Sequence, residues 1–565
     1  MGNDRLPRLF LAAAAGALAG LSLPPLGWPW LLWPCLAVLW SLAGAERGGM
    51  AALLWGGGAV LVSHRWLLAL HPLDWIGVPS PLSLPICLLL WGGCALLGGL
   101  LVGGWAVLVR RLEPGRLSTA FLAAGVWGLG EVLLAKGPLF WIGLGASPLP
   151  GDPWLAGLAV WVGAGGVAAL QVLLGWGFWR WARAWHWSGR TGTVTGIGIG
   201  SGGSGWGSGI RLASAGGGGN GTAAGGGDPG DAPAAAMGRG PAAKGAAGGI
   251  GGASGGSLER SSWRQPTGRG LWRWGGGLAV GLLVCHLLGA AALAPRAQAT
   301  ATTAETVLVV QPAIPTRQKF LPGQQERLAN LLAGALAKAE PSGATVVLPE
   351  GALALDQHLP GPSSVEVLSG GFRRADTSLR SALLRFAPHS MVAGSWVDKH
   401  RVVPLGEWVP LAPLLRWSGL SAVGGIEAGD ASRVLRRPAG PIGVAICYEI
   451  ADGRSLAGAS RAGARWLLAS ANLDPYPRAL QSQFQALARL RALESGRWLV
   501  SAANTGPSVL VNPAGRVMDS LPSGRTSTGF FTVPSRSGLT PYLLVGERSL
   551  LVLIIMGLAL RVAQR

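Results

Sequence analysis

Charge is what this sequence of 565 residues has least of: 13% of it is charged, against roughly a quarter in an ordinary soluble domain. That shortage excludes a soluble cytosolic enzyme, and a mean hydropathy of +0.40 excludes a largely disordered chain. Acidic residues are the scarcer kind, 26 Asp+Glu against 46 Lys+Arg, for a formal net charge of +20. Such an excess suggests nucleic acid in a soluble protein, but beside long apolar runs it is first a signal of orientation. Cysteine is scarce too, and four of the five (Cys35, Cys87, Cys94, Cys285) fall in apolar runs, where they pack as small hydrophobes. Only Cys447 lies in a polar stretch, so no disulfide framework is expected. The seven histidines are scattered without ligand spacing, so neither a metal nor another cofactor is expected.

What the chain has instead is apolar length, with 49% hydrophobic residues, 92 Gly and 27 Trp. Apolar runs fall near 9–25, 28–44, 49–63, 81–109, 118–135, 154–178, 274–294 and 542–560, each near the ~20 residues that cross hydrocarbon. The first run, behind Arg5 and Arg8, also has the look of a cleaved signal peptide. Six further spans follow it in the first 300 residues, and it fits as the first of them. With the N-terminus inside, the inner loops carry Arg47, Arg110, Arg111, Arg116, Arg180 and Arg183, and the outer loops before residue 296 only Arg65 and Lys136. This bias predicts a cytoplasmic N-terminus, an extracytoplasmic polar domain and a tail that returns to the cytoplasm. Many tryptophans (Trp28, Trp30, Trp33, Trp66, Trp75, Trp141, Trp154, Trp179, Trp181, Trp185) fall near span ends and read as interfacial anchors.

The expected organisation is a membrane region of about six spans at 1–188, a Gly-rich linker at 189–270, a seventh span at 271–296, a polar domain at 305–540, and an eighth span with its tail at 541–565. The linker, with 30 Gly in 82 residues, cannot bury a core and reads as flexible and cytoplasmic. The polar domain alternates β-branched runs (306–311, 344–350, 365–370, 440–450, 465–472) with helical patterns at 323–339 and 478–496, which predicts an α/β layered sandwich. In the second helix Leu480, Phe484, Leu487, Arg491 and Glu494 recur at helical spacing, and Gly496 sits where a C-cap belongs.

Chemistry gathers at three places in this domain. Cys447 ends a buried-looking strand and is followed by Tyr448 and Glu449; alone it is either a nucleophile or an inert core thiol. Glu350 closes the run TVVLPE at the edge where α/β sheets place their sites. Lys399 precedes Glu407 by eight residues in a Pro/Gly-rich loop. Base, thiol nucleophile and cation are the parts of an acyl-transfer site, although Glu350 and Lys399 taken singly also read as surface residues. Glu131, ionisable within an apolar run, serves either a lipid headgroup or an internal pairing.

At these residues the sequence resembles the bacterial apolipoprotein N-acyltransferases. The matching motifs are LPEGA with Glu350, DKHRVVPLGEWVP with Lys399 and Glu407, and ICYEI with Cys447, Tyr448 and Glu449, in that order along the chain. HPLDWIGVP at 71–79, ARLRALESGR at 488–497, AANTG at 502–506 and PYLLVGER at 541–548 add to the likeness, which covers nearly the whole chain. The resemblance implies about eight spans and an extracytoplasmic nitrilase-like α-β-β-α domain, in the bacterial inner membrane and as a monomer. It implies Glu350 as general base, Cys447 as nucleophile and Lys399 as stabiliser of the tetrahedral intermediate, supported by Glu407, Tyr448 and Glu449. It also implies a phospholipid acyl donor, a diacylglyceryl-modified apolipoprotein as acceptor, and no nucleic acid. Phe320, Glu131 and Trp408 are the candidates for substrate binding, and PLAPLLRWSGL at 410–420 is either an interfacial arm or a core helix. Three departures stand out: Phe320 where the family usually has Trp, SANLDPYP at 470–477 in place of an S-N-D-x-W-F loop, and the Gly-rich insertion. A membrane-tethered amidase of the nitrilase type and a catalytically silent membrane scaffold are the competing readings.

Overall fold

A computed structural model describes residues 5–46, 48–74, 78–191, 268–294, 303–319, 321–376, 378–403, 407, 425–474 and 476–564. Helices fill the first half: α1 (Arg5–Leu21), α2 (Pro29–Ala43), α3 (Gly48–Ser63), α4 (Ser80–Arg111), α5 (Leu117–Ala135), a short α6 (Pro153–Gly157), α7 (Ala159–Thr191) and α8 (Gly268–Leu293). Four described helices are long and apolar enough to cross a membrane: α4, α5, residues 159–185 of α7 and residues 272–293 of α8. α1, α2 and α3 are shorter apolar helices. Close approach between α1 and α3 depends on a missing side chain, since a Cβ on Gly16 would lie 2.0 Å from the Trp55 carbonyl oxygen.

The run at 154–178 is not a single helix. Gly163 interrupts it with φ 67° and ψ 178°, a conformation essentially confined to glycine. A Cβ there would sit 2.3 Å from the Tyr542 ring. Several tryptophans expected as anchors are core instead: Trp33, Trp66 and Trp179 are buried, whereas Trp28, Trp30, Trp154 and Trp185 are exposed. A buried indole N–H usually takes an acceptor, although that of Trp66 meets none among the described residues. Trp33 donates to Gln171 at 2.6 Å, Trp40 to the Val172 carbonyl at 3.1 Å and Trp55 to the Cys35 carbonyl at 3.1 Å, which ties α2 to α7 and α3 to α2.

Among its described residues the second half contains twelve strands: β1 (Ala304–Gln311), β2 (Thr345–Leu348), β3 (Val367–Ala375), β4 (Ser378–Phe386), β5 (Ser395–Asp398), β6 (Val434–Leu435), β7 (Ile442–Ile446), β8 (Leu467–Ala471), β9 (Leu499–Ala503), β10 (Val509–Val511), β11 (Val517–Ser520) and β12 (Ser527–Pro534). They form two six-stranded sheets, ordered β12-β1-β2-β3-β4-β5 and β11-β10-β9-β8-β7-β6. Within them β1-β2-β3 and β7-β8-β9 run parallel. Side-chain alternation sets the layers. Leu308 and Val310 of β1 pack under α9 (Pro322–Ala339) with Leu328, Leu332 and Ala335, while Val307 and Val309 join the core shared with Val444 and Leu468. Helices α10 (Gly453–Arg461) and α11 (Arg478–Ser495) contribute Leu456, Leu487 and Leu490 to that core. Gly496 adopts φ 60° and ends α11 as its C-cap.

After β12 come the short α12 (Pro541–Val545) and α13 (Arg548–Ala563), which packs against α5. The sandwich is joined to the helices through polar contacts. Glu494 of α11 accepts the Ala164 N–H at 2.7 Å, just past the Gly163 break, and Gln483 donates to the Ser63 carbonyl at 3.0 Å. Phe484 stacks on Phe140 at 5.3 Å.

Candidate active site

Parallel strands deliver the three motifs to one end of the sandwich. Glu350 lies two residues past β2, Lys399 follows β5 directly, and Cys447 follows β7. Cys447 opens a tight helical turn, Cys447–Ala451, with φ +54°. A non-glycine residue held there stores about 1–3 kcal/mol of strain, of the kind that collects at active sites.

Lys399 is 1% exposed and its Nζ donates to Glu350 Oε1 at 2.7 Å and to Glu407 Oε1 at 2.6 Å. Burial opposes its charge, but the two carboxylates outweigh that and hold the ammonium protonated well above the usual lysine range. The Cys447 thiol, hydrogen-bonded to Glu350, is pushed well above its ordinary value by burial and then by the Glu350 carboxylate, with Lys399 pulling the other way. The resting thiol is therefore protonated and already in contact with a base. Burial also raises Glu407, with Lys399 opposing it and Glu350 adding to it.

A second tier holds this cluster. Glu449, wholly buried, accepts from the main-chain N–H of His400 at 2.8 Å, from Arg433 at 3.1 Å and from the Ile446 N–H at 2.9 Å. Burial drives its carboxyl upward, but the His400 hydrogen bond and the Arg433 charge win and lower it. Tyr448 donates its hydroxyl to the Val402 carbonyl at 3.0 Å. Arg401, over the Tyr448 ring at 4.8 Å, donates to the Ala135 carbonyl at 2.7 Å and to the Gly137 carbonyl, which fastens the lysine loop to the end of α5.

Residues 15–177 match the family model for the apolipoprotein N-acyltransferase N-terminal domain, and residues 367–541 match the carbon-nitrogen hydrolase family. An apolipoprotein N-acyltransferase of Prochlorococcus marinus (strain MIT 9313) is 42% identical over 96% of this chain and 93% of its own. The chain belongs to the apolipoprotein N-acyltransferase family. Another member, from Parasynechococcus marenigrum (strain WH8102), is 39% identical over 96% of this chain and 98% of its own. Among solved structures, Saccharomyces cerevisiae Nit3, of the nitrilase superfamily, has a TM-score of 0.32 and 16% identity over 44% of this chain and 94% of its own. An amidase of that superfamily from Nesterenkonia AN1 has a TM-score of 0.32 and 16% identity, over 44% of this chain and 96% of its own.

Of the expected site residues in this N-acyltransferase sequence, the structure brings Glu350, Lys399, Glu407 and Cys447 into one cluster, with Tyr448 and Glu449 behind it. Glu131 is not brought into this cluster. It accepts from Trp127 at 2.8 Å and from the main-chain N–H groups of Leu144 and Gly145 at 2.8 and 3.4 Å. It lines an apolar cavity of about 320 Å³ among α1, α3, α4 and α5, with Trp55, His64, Val102 and Trp105. Phe320, Trp408 and the 410–420 run lie outside the described residues.

Three site residues escaped the sequence reading. The main-chain N–H of Asn472 donates to Glu350 Oε2 at 3.0 Å and so occupies the oxygen that Lys399 leaves. Asn504 donates to Asn472 at 2.9 Å and to the Ile314 carbonyl at 2.6 Å. Lys319 donates to the main-chain carbonyl of Glu350 at 3.0 Å. Each stands beside a recognisable motif, Lys319 after QPAIPTRQ, Asn472 in SANLD and Asn504 in AANTG. What gathers them around Glu350 is the place of β1 beside β2 and the packing of the sheet that holds β8 and β9 against the sheet that holds β2, neither of which the sequence displays.

Proposed function

We propose that the protein transfers a fatty acyl chain from a membrane phospholipid to the N-terminal amine of diacylglyceryl-cysteine apolipoproteins, through a thioester on Cys447. The observation that carries this is the buried Lys399 ammonium held between Glu350 and Glu407, with the Cys447 thiol on Glu350. Glu350 takes the thiol proton as Sγ attacks the ester carbonyl carbon. The tetrahedral oxyanion develops in the field of Lys399, whose charge the site maintains. As the C–O bond breaks, the protonated Glu350 returns its proton to the departing lysophospholipid oxygen. The amine of the acceptor then attacks the thioester, Glu350 takes the amine proton, and Cys447 leaves as a thiol on receiving it. Glu407 keeps the ammonium aimed, and Glu449 and Tyr448 fix the two loops.

The same reading places the protein in the bacterial inner membrane as a monomer. About six spans lie in 1–188, a cytoplasmic linker at 189–270, a seventh span at 271–296, the catalytic domain at 305–540 on the outer side and an eighth span at 541–565. The positive-inside bias supports this orientation, and the lipid nature of both substrates gives a reason for spans on either side of the sandwich. The apolar cavity lined by Glu131 offers room for acyl chains. The test is mass spectrometry of Cys447 on protein purified with phospholipid and no acceptor. An acyl adduct discharged by a diacylated lipopeptide is expected; turnover of small amides with no adduct from phospholipid would sink the proposal.

A further inference from the structure

The proton chemistry proposed for the site leaves one cation unused. Lys399 is committed to two carboxylates, and Glu350 Oε2 to Asn472. Lys319 has three N–H groups and gives one, to the main-chain carbonyl of Glu350 at 3.0 Å; the others meet no acceptor among the described residues. Its position is built, not incidental. Thr316, three residues earlier, donates its N–H to Asp474 at 2.7 Å and its hydroxyl to the Asp474 carbonyl at 3.0 Å, and accepts from Asn472 at 2.9 Å. Gly351 leaves room for the ammonium, because a Cβ there would come within 2.9 Å of Lys319 Nζ.

Resting on the acyl-transfer reading above, we infer that Lys319 receives the phosphodiester of the acyl donor and so makes the first half-reaction selective for phospholipids over neutral esters. Lys319 is half-buried as a residue. It bonds the main chain beside the base and not the thiol, which sets its charge next to the reacting ester and not on it. The phosphodiester is the one full charge that glycerophospholipid donors share, and the diacylglyceryl group of the acceptor carries no phosphate. Burial lowers the ammonium to about 8, against the pull of Glu350, Asp474 and Cys447, the charged and titratable groups that face it. A second anion at this point relieves that desolvation.

The experiment compares thioester formation on Cys447 from phosphatidylglycerol and from the corresponding diacylglycerol, in the same detergent, for the wild type, Lys319→Met and Lys319→Arg. In Lys319→Met the preference for the phospholipid should fall about tenfold, through KM, the scale of one hydrogen bond to a charged group. Lys319→Arg should restore it. The wild-type preference should also fade as pH rises through about 8, where the ammonium discharges, and that of Lys319→Arg should not. Equal losses for both donors, or a preference left at the wild-type ratio, overturn the inference alone. A wild type that forms no thioester from phospholipid overturns the parent reading with it.

Discussion

His400 places both its main-chain N–H and its ring Nδ1 on one oxygen of Glu449, at 2.8 and 2.6 Å. The residue after Lys399 is thereby fixed to the residue two beyond Cys447. Because the other Glu449 oxygen takes Arg433 and the Ile446 N–H, this carboxylate sets the separation of cation and nucleophile. Glu449→Ala leaves a buried arginine unpaired, a loss of about 3–5 kcal/mol. We expect a melting temperature in detergent lower by several degrees and much slower acylation of Cys447; a variant that melts like the wild type would contradict this. Glu449→Gln keeps the shape and should lose less. The carboxyl is lowered in the fold, so its contribution is complete above the ordinary carboxylate range and disappears as pH falls through its folded value. Acid melting curves should therefore converge for the wild type and Glu449→Gln at low pH, and separate at neutral pH.

Glu350 acts on the thiol in two opposed ways. Its negative charge raises the Cys447 thiol, yet its basicity is what removes the proton. Glu350→Gln should therefore abolish thioester formation while making the thiol ionise more easily. Iodoacetamide alkylation of Cys447, followed against pH, should shift toward lower pH in this variant. A shift in the other direction, or none, would mean that the carboxylate does not govern the thiol. Lys399→Ala removes the opposing charge and should shift alkylation toward higher pH, again with no acyl adduct.

The sequence made the chemistry legible and hid much of its support. Glu350 and Cys447 each close a β-branched run, and a strand must end somewhere a side chain can work, whereas Lys399 stands out only by its motif in a Pro/Gly-rich loop, and the pattern does not show β5 before it. The helix at 478–496 was equally plain, because its apolar spacing ends on a glycine that the fold uses at φ 60°. The hairpin of β3 and β4 went unseen beyond residue 370 because Arg373 and Arg380 break its alternation. Both arginines instead bind Asp398, at 2.5 and 3.2 Å, next to Lys399. The tryptophans misled for a related reason: a position near a span end is visible in sequence, whereas the neighbours that bury an indole, as they bury Trp33, Trp66 and Trp179, are not. Lys319 and Asn472 meet Glu350, and Asn504 meets Asn472, only because β1, β8 and β9 stand near β2 in space.

Arg401 is where the lysine loop meets the helices. Its guanidinium bonds the carbonyls of Ala135 and Gly137 at the end of α5 and lies over the Tyr448 ring. Arg401→Lys keeps the charge but loses the fork that holds two carbonyls at once. We expect KM for a phospholipid donor to rise about tenfold, the equivalent of ~1.4 kcal/mol, with a smaller change for a short water-soluble ester. Equal effects on both donors would show that Arg401 serves the site itself and not its docking on the bundle.

Gly163 lets α7 break, and Glu494 of the catalytic domain takes the Ala164 N–H that the break exposes. Gly163→Ala demands a backbone conformation that alanine resists and drives a methyl into the Tyr542 ring. The loss should exceed the 1–3 kcal/mol of backbone strain alone, read as a lower melting temperature in detergent. Glu494→Ala, which strands both that N–H and Arg491, should destabilise the same joint. Combined with Gly163→Ala it should add less than the sum of the two, because both act on one contact. Full additivity would mean that the helix break and the carboxylate are independent, and that Glu494 is not what secures the catalytic domain to α7.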